Sequence, residues 1–340
     1  MARYILRRCL TMIWTLAVVS ALVFIIVNLP PGDILSNRIN ELMASGESSS
    51  VARAKFLAAQ YALDEPIWKQ YLIWLGAWPG PLGFEGLLQG NLGWSFELDR
   101  PVSDIVLDAM WMTIVLNLTT IIFVYLVALP LGALAAVRAN TLIDYLATFI
   151  GYIGLATPNF LLALVLYSKG SEWFGLPVGG MMSREFAGAP MSLDKLADIA
   201  AHMVVPVIVI GTSGMAAMVR RLRANLLDEL GKPYVVTAAA KGLSPTRAVI
   251  KYPLRMALNP FVSDLGNMLP QLVSGSVLVS VVMGLQTIGP ILLQSLKSQD
   301  YFLSGFILLF VSALTLVGML ISDILLALLD PRIRFAGRGK

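Results

Sequence analysis

The chain has 340 residues, 57% of them hydrophobic and 14% charged, with a mean hydropathy of +0.76. That is too apolar for a soluble domain of this length, and a formal net charge of +4 spread over loops gives no footprint for nucleic acid. One cysteine, Cys9, excludes a disulfide within the chain, and one histidine, His202, leaves little basis for a metal site.

Cys9 to Leu29 carries no charge, and its 21 residues would span ~32 Å as a helix, about one hydrocarbon core. Arg3, Arg7 and Arg8 precede it, which favours a cytoplasmic start to an uncleaved membrane helix over residues 1–29. A cleaved signal peptide is the alternative, but Val27-Asn-Leu-Pro-Pro31 lacks a small-x-small cleavage site. Residues 30–108 are different in kind. They are rich in Gly, Pro and Trp, and ten acidic residues outweigh five basic ones, which places this segment outside. Within it, Val51 to Leu63 predicts a short amphipathic helix.

Residues 109–329 hold five further apolar runs, each bounded by charge: Ala109–Val137, Tyr145–Ser168, Ile199–Val219, Leu265–Leu296 and Tyr301–Ser322. The fourth of these is longer than one span needs. Gly289-Pro290 is expected to end its helix, leaving Ile291 to Ser298 as a short external half-helix. The expected fold class is therefore an all-α integral membrane protein with six transmembrane helices. Pro130, Pro158, Pro206 and Pro270 fall inside apolar runs, where a kink is tolerated if neighbours satisfy the backbone. Gly211, Ser213, Gly214, Ala216 and Ala217, with Gly275 and Ser276, would let helices approach closely.

The stretch Arg220 to Arg255, within a loop over residues 220–258, is written for water. It has eight basic residues against Asp228 and Glu229. Ala238 to Ala240 favour helix, Gly242 permits a left-handed backbone, and Pro245 suits the first turn of a second helix. Two short helices should meet at a Gly-Leu-Ser-Pro corner. By charge alone this fits any basic cytoplasmic loop. With an inside N-terminus, this loop and the basic tail 330–340 (Arg332, Arg334, Arg338, Lys340) both fall inside, so both termini are expected to be cytoplasmic.

Three chemistries can be weighed directly. Gly211-Thr-Ser-Gly214 matches the Gly-x-Ser-Gly of rhomboid-type intramembrane proteases, but His202 lies eleven residues before Ser213, ~16 Å along one helix. Ser213 then reads as a packing residue and His202 as a polar residue at the outer interface. Asp264 and Asp323 are membrane-embedded carboxylates and define a rival class, a proton-coupled secondary carrier. Both sit ~10 Å from a cytoplasmic end, where they can reach basic residues or cap helices. No Gly-x-x-x-x-Gly-Lys-[Ser/Thr] occurs, so ATP hydrolysis by the usual phosphate loop is not in this chain.

Thr237-Ala-Ala-Ala-Lys-Gly-Leu-Ser244, with Arg247 and Tyr252-Pro-Leu-Arg-Met-Ala-Leu-Asn-Pro260, resembles the cytoplasmic coupling loop of ABC-importer permeases, most closely the dipeptide/oligopeptide class. The likeness covers nearly the whole chain. It includes Pro31-Gly-Asp33, Leu63-Asp-Glu-Pro66, Gln89-Gly-Asn-Leu-Gly-Trp-Ser95, Arg100-Pro-Val102, Ser298-Gln-Asp-Tyr301 and Leu329-Asp-Pro-Arg-Ile-Arg334. Four places depart from the family pattern. Val236 replaces the Glu of Glu-Ala-Ala, and Tyr252-Pro253 replaces Ile-x-Leu-Pro. Leu285-Gln-Thr-Ile-Gly-Pro290 replaces Pro-Gly-Leu-Gly, and Asn91 stands for an expected Asp.

The resemblance implies a type I importer permease fold and a multi-pass subunit of the bacterial inner membrane. Its partners would be a second homologous permease, two cytoplasmic ABC ATPases and an external substrate-binding protein, working by alternating access. ATP and Mg would belong to the ATPases, with no cofactor, metal or catalytic residue in this chain. Docking to the ATPase would fall to Ala238, Ala239, Ala240 and Lys241 on the first helix, Gly242 at the corner, and Leu243, Ser244, Pro245, Thr246 and Arg247 held in its groove. The segment 30–108 would either cap the helices or touch the binding protein. Peptides are the default cargo of this class; oligosaccharides, opines or nickel are the alternatives.

Overall fold

In a computed structural model, the structure describes residues 2–29, 44, 48–60, 62, 65–81 and 83–329. Pro31-Gly-Asp33, part of Leu63-Asp-Glu-Pro66, the motif after Leu329 and the basic tail lie outside the described residues. In chain order the helices are α1 (Ala2–Val27), α2 (Ser48–Gln60), α3 (Ile67–Leu75), α4 (Val102–Val137), α5 (Leu142–Ala156) and α6 (Asn159–Phe174). They continue as α7 (Leu193–Leu230), α8 (Pro233–Ala240), α9 (Pro245–Lys251), α10 (Pro253–Met283), α11 (Ile288–Lys297) and α12 (Tyr301–Leu329). Strands β1 (Trp94–Ser95) and β2 (Arg100–Pro101) pair antiparallel, Trp94 opposite Pro101 and Ser95 opposite Arg100.

Among the described residues four helices are long and apolar enough to cross a membrane: Leu6–Val27, Val102–Val137, Leu193–Leu230 and Tyr301–Leu326. The count reaches six if each of two bent pairs is one span. The first pair corrects the expectation of one helix over Tyr145–Ser168. Helix α5 stops at Thr157-Pro158, and α6 leaves at 94°. Pro158 lacks the amide that would continue the ladder and pushes Thr157 into an extended conformation. In the second pair, Pro245–Gly266 and Gln271–Met283 meet at 64°, with Pro270 in the intervening break. By contrast, Pro130 and Pro206 sit inside unbroken helices.

Two helix ends differ from the sequence reading. Helix α10 ends at Gly284, in the left-handed conformation at φ 63°, and not at Gly289-Pro290. Those two residues open α11 behind Thr287, because a proline in a first helical turn leaves no amide unpaired. The predicted half-helix therefore spans Ile288–Lys297. Helix α7 runs on to Leu230, eleven residues past Val219, because charge ends a membrane span without ending a helix.

The chain divides into two compact units, 1–5 with 112–286 and 315–340, and 6–111 with 287–314. In the first, Leu116, Val209, Ile210, Val279 and Met283 form one buried cluster, and Val124, Leu222, Leu226 and Phe261 form another. Small residues let the helices of this unit meet: a Cβ on Gly154 would lie 3.0 Å from Thr212, and one on Gly266 would lie 2.6 Å from the Met319 backbone. His202 is buried, its Nδ1 2.9 Å from the Asp198 carbonyl. Ser213 accepts a hydrogen bond from Asn159 Nδ2 at 3.2 Å, which seats the start of α6 on α7.

In the second unit, Phe24 of α1 packs on Tyr71 and Trp74 of α3, and the Tyr71 hydroxyl lies 2.9 Å from Ser20 Oγ. Asn91 holds its own turn, since its Oδ1 accepts from the Gly93 amide at 3.0 Å. Its Nδ2 also donates to Glu85 at 3.3 Å, a contact a carboxylate could not make. Asp300, fully buried, accepts from Ser95 Oγ at 2.5 Å, from the Glu97 amide at 3.4 Å and from the Leu303 amide at 3.2 Å. It thereby caps α12 and holds the β1–β2 turn.

Candidate functional site

The loop between α7 and α10 is two short helices with a proline at the first helical position of each. Pro233 fixes φ for α8, and Thr237 Oγ1 donates back to the Pro233 carbonyl at 3.0 Å. At the other end Lys241 caps the helix, and Gly242 turns the chain at φ 82°. The Gly242 amide donates to the Ala239 carbonyl at 2.9 Å and the Leu243 amide to the Ala238 carbonyl at 3.3 Å, so the last carbonyls of α8 are satisfied. Ser244 then leads into Pro245, and α9 closes with the Ala248 amide on the Ser244 carbonyl at 2.8 Å.

Ala239, Ala240, Lys241, Gly242, Ser244, Pro245, Thr246 and Arg247 are exposed, and Leu243 is half-buried. Ala238 is a correction, because it is only 5% exposed. It and Ala248 face inward and pack the corner, so Ala238 offers no docking surface here. The exposed apolar side chains of Val236, noted above only as a departure from the family pattern, and Ile250, which the sequence reading passed over, extend the surface along both helices. Their signal was simple: large apolar residues in a stretch otherwise built for water.

The corner is tied to what precedes it. Tyr234 donates a short hydrogen bond to Glu229, which also meets Lys232 Nζ at 3.1 Å. Burial, and then the Glu229 carboxylate, push the Tyr234 hydroxyl up to about 12, so it stays a donor across the physiological range.

Two of the basic residues assigned to the loop are occupied inside the unit. Arg223 grips Asp144 of α5 through two nitrogens, Nη2 at 2.7 Å from Oδ2, while the Asn140 amide donates to the same carboxylate at 2.8 Å. Arg221 reaches Asp264 of α10 at 2.5 Å and lies 4.8 Å over the Phe261 ring. The Tyr125 hydroxyl donates to the Phe261 carbonyl at 2.7 Å. Helix α7 is therefore held to α5 on one side and to α10 on the other, just before it enters the corner. These pairs join residues far apart in sequence, and composition gave no sign of them. Asp264, one of the two carboxylates of the carrier reading, is thus an ion-pair partner.

Long apolar helices and two broken spans define a polytopic membrane protein that carries an exposed corner on a braced helix. The comparisons agree. Residues 128–335 match the model of the binding-protein-dependent transport system inner membrane component, and residues 1–117 match that family's N-terminal membrane-component model. The chain belongs to this family of importer permeases, in its dipeptide/oligopeptide class. It is 34% identical over 341 residues to the oligopeptide transport system permease protein AppB of Bacillus subtilis, covering 98% of this chain and all of the relative. It is 32% identical over 351 residues to the dipeptide transport system permease protein DppB of Escherichia coli K12, covering 98% and 99%. With the oligopeptide permease OppB of Haemophilus influenzae the identity is 30% over 340 residues, covering 98% and 100%. The chain is a membrane-spanning permease of the bacterial inner membrane and a transporter subunit, not an enzyme.

Proposed function

We propose that this permease is one of a pair that forms the channel of an ATP-driven importer, with two ABC ATPases on the cytoplasmic side and a substrate-binding protein outside. The supporting observation is the corner: eight of its ten assigned residues are exposed on two short helices carried by a braced α7. Ala239 to Lys241 form the approach, Gly242 the turn, and Leu243 to Arg247 the part seated in the ATPase groove. ATP binding closes the ATPases, the seated corners move, and α7 and α10 carry that motion into the membrane, exposing the cavity to each side in turn. This reading sets both termini and residues 220–258 inside. ATP and Mg act on the partner subunits.

Peptides are the proposed cargo, in keeping with what the named relatives carry; oligosaccharides, opines or nickel would use the same machinery. The carrier reading is weakened by the Arg221–Asp264 pair, which holds that carboxylate 34% exposed beside a guanidinium. Co-purification from native membranes, comparing wild type with Gly242→Val, tests the proposal. Two ATPases and a second permease should accompany the wild type and be weakened or lost in the variant, with uptake abolished and membrane insertion intact. Normal transport by Gly242→Val would overturn the assignment.

A further inference from the structure

A trough of about 190 Å³ opens on the first unit between α4, α5 and α7. Its walls are Leu131 and Leu134 of α4 and Leu146 and Ile150 of α5, all between 36% and 53% exposed. Its floor includes Gly151 and Ala216, where α5 meets α7. All ten lining residues are apolar or glycine, so nothing in it could hold water, and a dry cavity of ~150 Å³ already takes a benzene-sized hydrocarbon. A packed helix partner usually meets small residues that let backbones touch. Here the small residues Gly151 and Ala216 lie on the floor, where α5 already meets α7, and leucines and Ile150 form the walls.

The two walls are joined by residues 138–141, and Arg138 stands in that connection, exposed and with no acidic partner among the described residues. Leu134 is one turn above it, ~6 Å, and Leu131 two turns, ~10 Å. Arg220, on α7 just beyond Val219, is likewise exposed without an acidic partner among the described residues. Arg223 is matched by Asp144. Arg220 and Arg223 line an adjoining pocket that shares Ala147, Gly151, Ala216 and Val219 with the trough, and Asp144 ties Arg223 to Asn140 of the connection. Beside the trough, Arg138, Arg220 and Arg223 thus stand against Asp144, and 3 − 1 leaves +2. An apolar slot that begins one turn from an unmatched guanidinium has the layout of a single amphiphile, hydrocarbon within and anion at the end. Basic pockets between membrane helices recognise anionic headgroups in this way.

We propose that the α4–α5–α7 trough binds one anionic phospholipid, its acyl chain along Leu131, Leu134, Leu146 and Ile150 and its phosphate on Arg138. The intact transporter, reconstituted in equal parts phosphatidylglycerol and phosphatidylethanolamine, is examined by native mass spectrometry after delipidation. Wild type should retain phosphatidylglycerol over phosphatidylethanolamine. Arg138→Gln should lower that preference about fivefold, the weight of one basic residue near an anionic surface. Ile150→Trp, at a half-exposed wall position, should fill the slot and abolish retention of either lipid. A photo-reactive phenylalanine at position 150 provides a readout in native membranes that needs no stable complex. A phosphatidylglycerol adduct supports the proposal. Equal retention of the two lipids by wild type, retention unchanged in both variants, or an adduct to the second permease or another polypeptide overturns it.

Discussion

Gly93 and Gly242 share a backbone conformation, at φ 88° and 82°, and almost nothing else. A Cβ on Gly93 would lie 2.4 Å from the buried Phe302 ring, whereas one on Gly242 would meet nothing within 4 Å. The first glycine is needed for its turn and for the space it leaves. The second is needed for its turn alone. The two regions differ in the same way: around Gly93 the chain is locked by Asp300 and Asn91, and around Gly242 it stands clear with its side chains outward. A turn that is packed serves stability, and a turn that is bare is available to a partner.

That contrast can be broken most forcefully at Gly93. Gly93→Ala combines left-handed strain with an overpacked ring, together about 2–5 kcal/mol. A large fall in melting temperature and early proteolysis near residues 90–100 should follow. Asp300 is the next point of attack. Burial outweighs its three donors and raises its carboxyl above the ordinary 3.8, so the folded chain keeps a proton that the unfolded chain has released. Its stabilising share is complete below that ordinary value and is lost as pH rises through the raised one. Asp300→Asn should flatten this part of the slope, read as melting temperature against pH.

The corresponding change at the corner, Gly242→Ala, carries only the conformational cost, about 1–2 kcal/mol, and should lower the melting temperature by less than Gly93→Ala does while uptake falls. Equal losses of stability at Gly93 and Gly242 would end the comparison. The smallest thermodynamic effect is expected at Arg247→Ala, an exposed corner residue, within about 0.5 kcal/mol of wild type. Its signature should appear only as weakened recovery of the ATPases and reduced uptake.

Much of this was open to a reader of the sequence, for particular reasons. Uncharged runs between Asp108 and Arg138, or Asp198 and Arg220, mark spans because a bilayer tolerates little else. The corner was legible because Gly242 and the two helix-starting prolines act through their own backbone. Effects that depend on a distant partner were hidden. Nothing near Arg223 announces Asp144, 79 positions away, and nothing near Gly93 announces Phe302. The stop at Gly284 was misplaced because Gly289-Pro290 is as suited to opening a helix as to closing one. The break at Pro158 was hidden in an apolar run, where hydropathy cannot tell a straight span from a folded one.

Arg221 and Arg223 stand two positions apart on one helix, which sets them about 200° apart around its axis. One is tethered to α10 and the other to α5. A roll of α7 alone, or a slide of α7 alone along its axis, must strain these tethers, whereas a tilt of α5, α7 and α10 together strains neither. On the docking proposed above, a force applied at the corner would move α5, α7 and α10 as one group instead of rolling α7 between them.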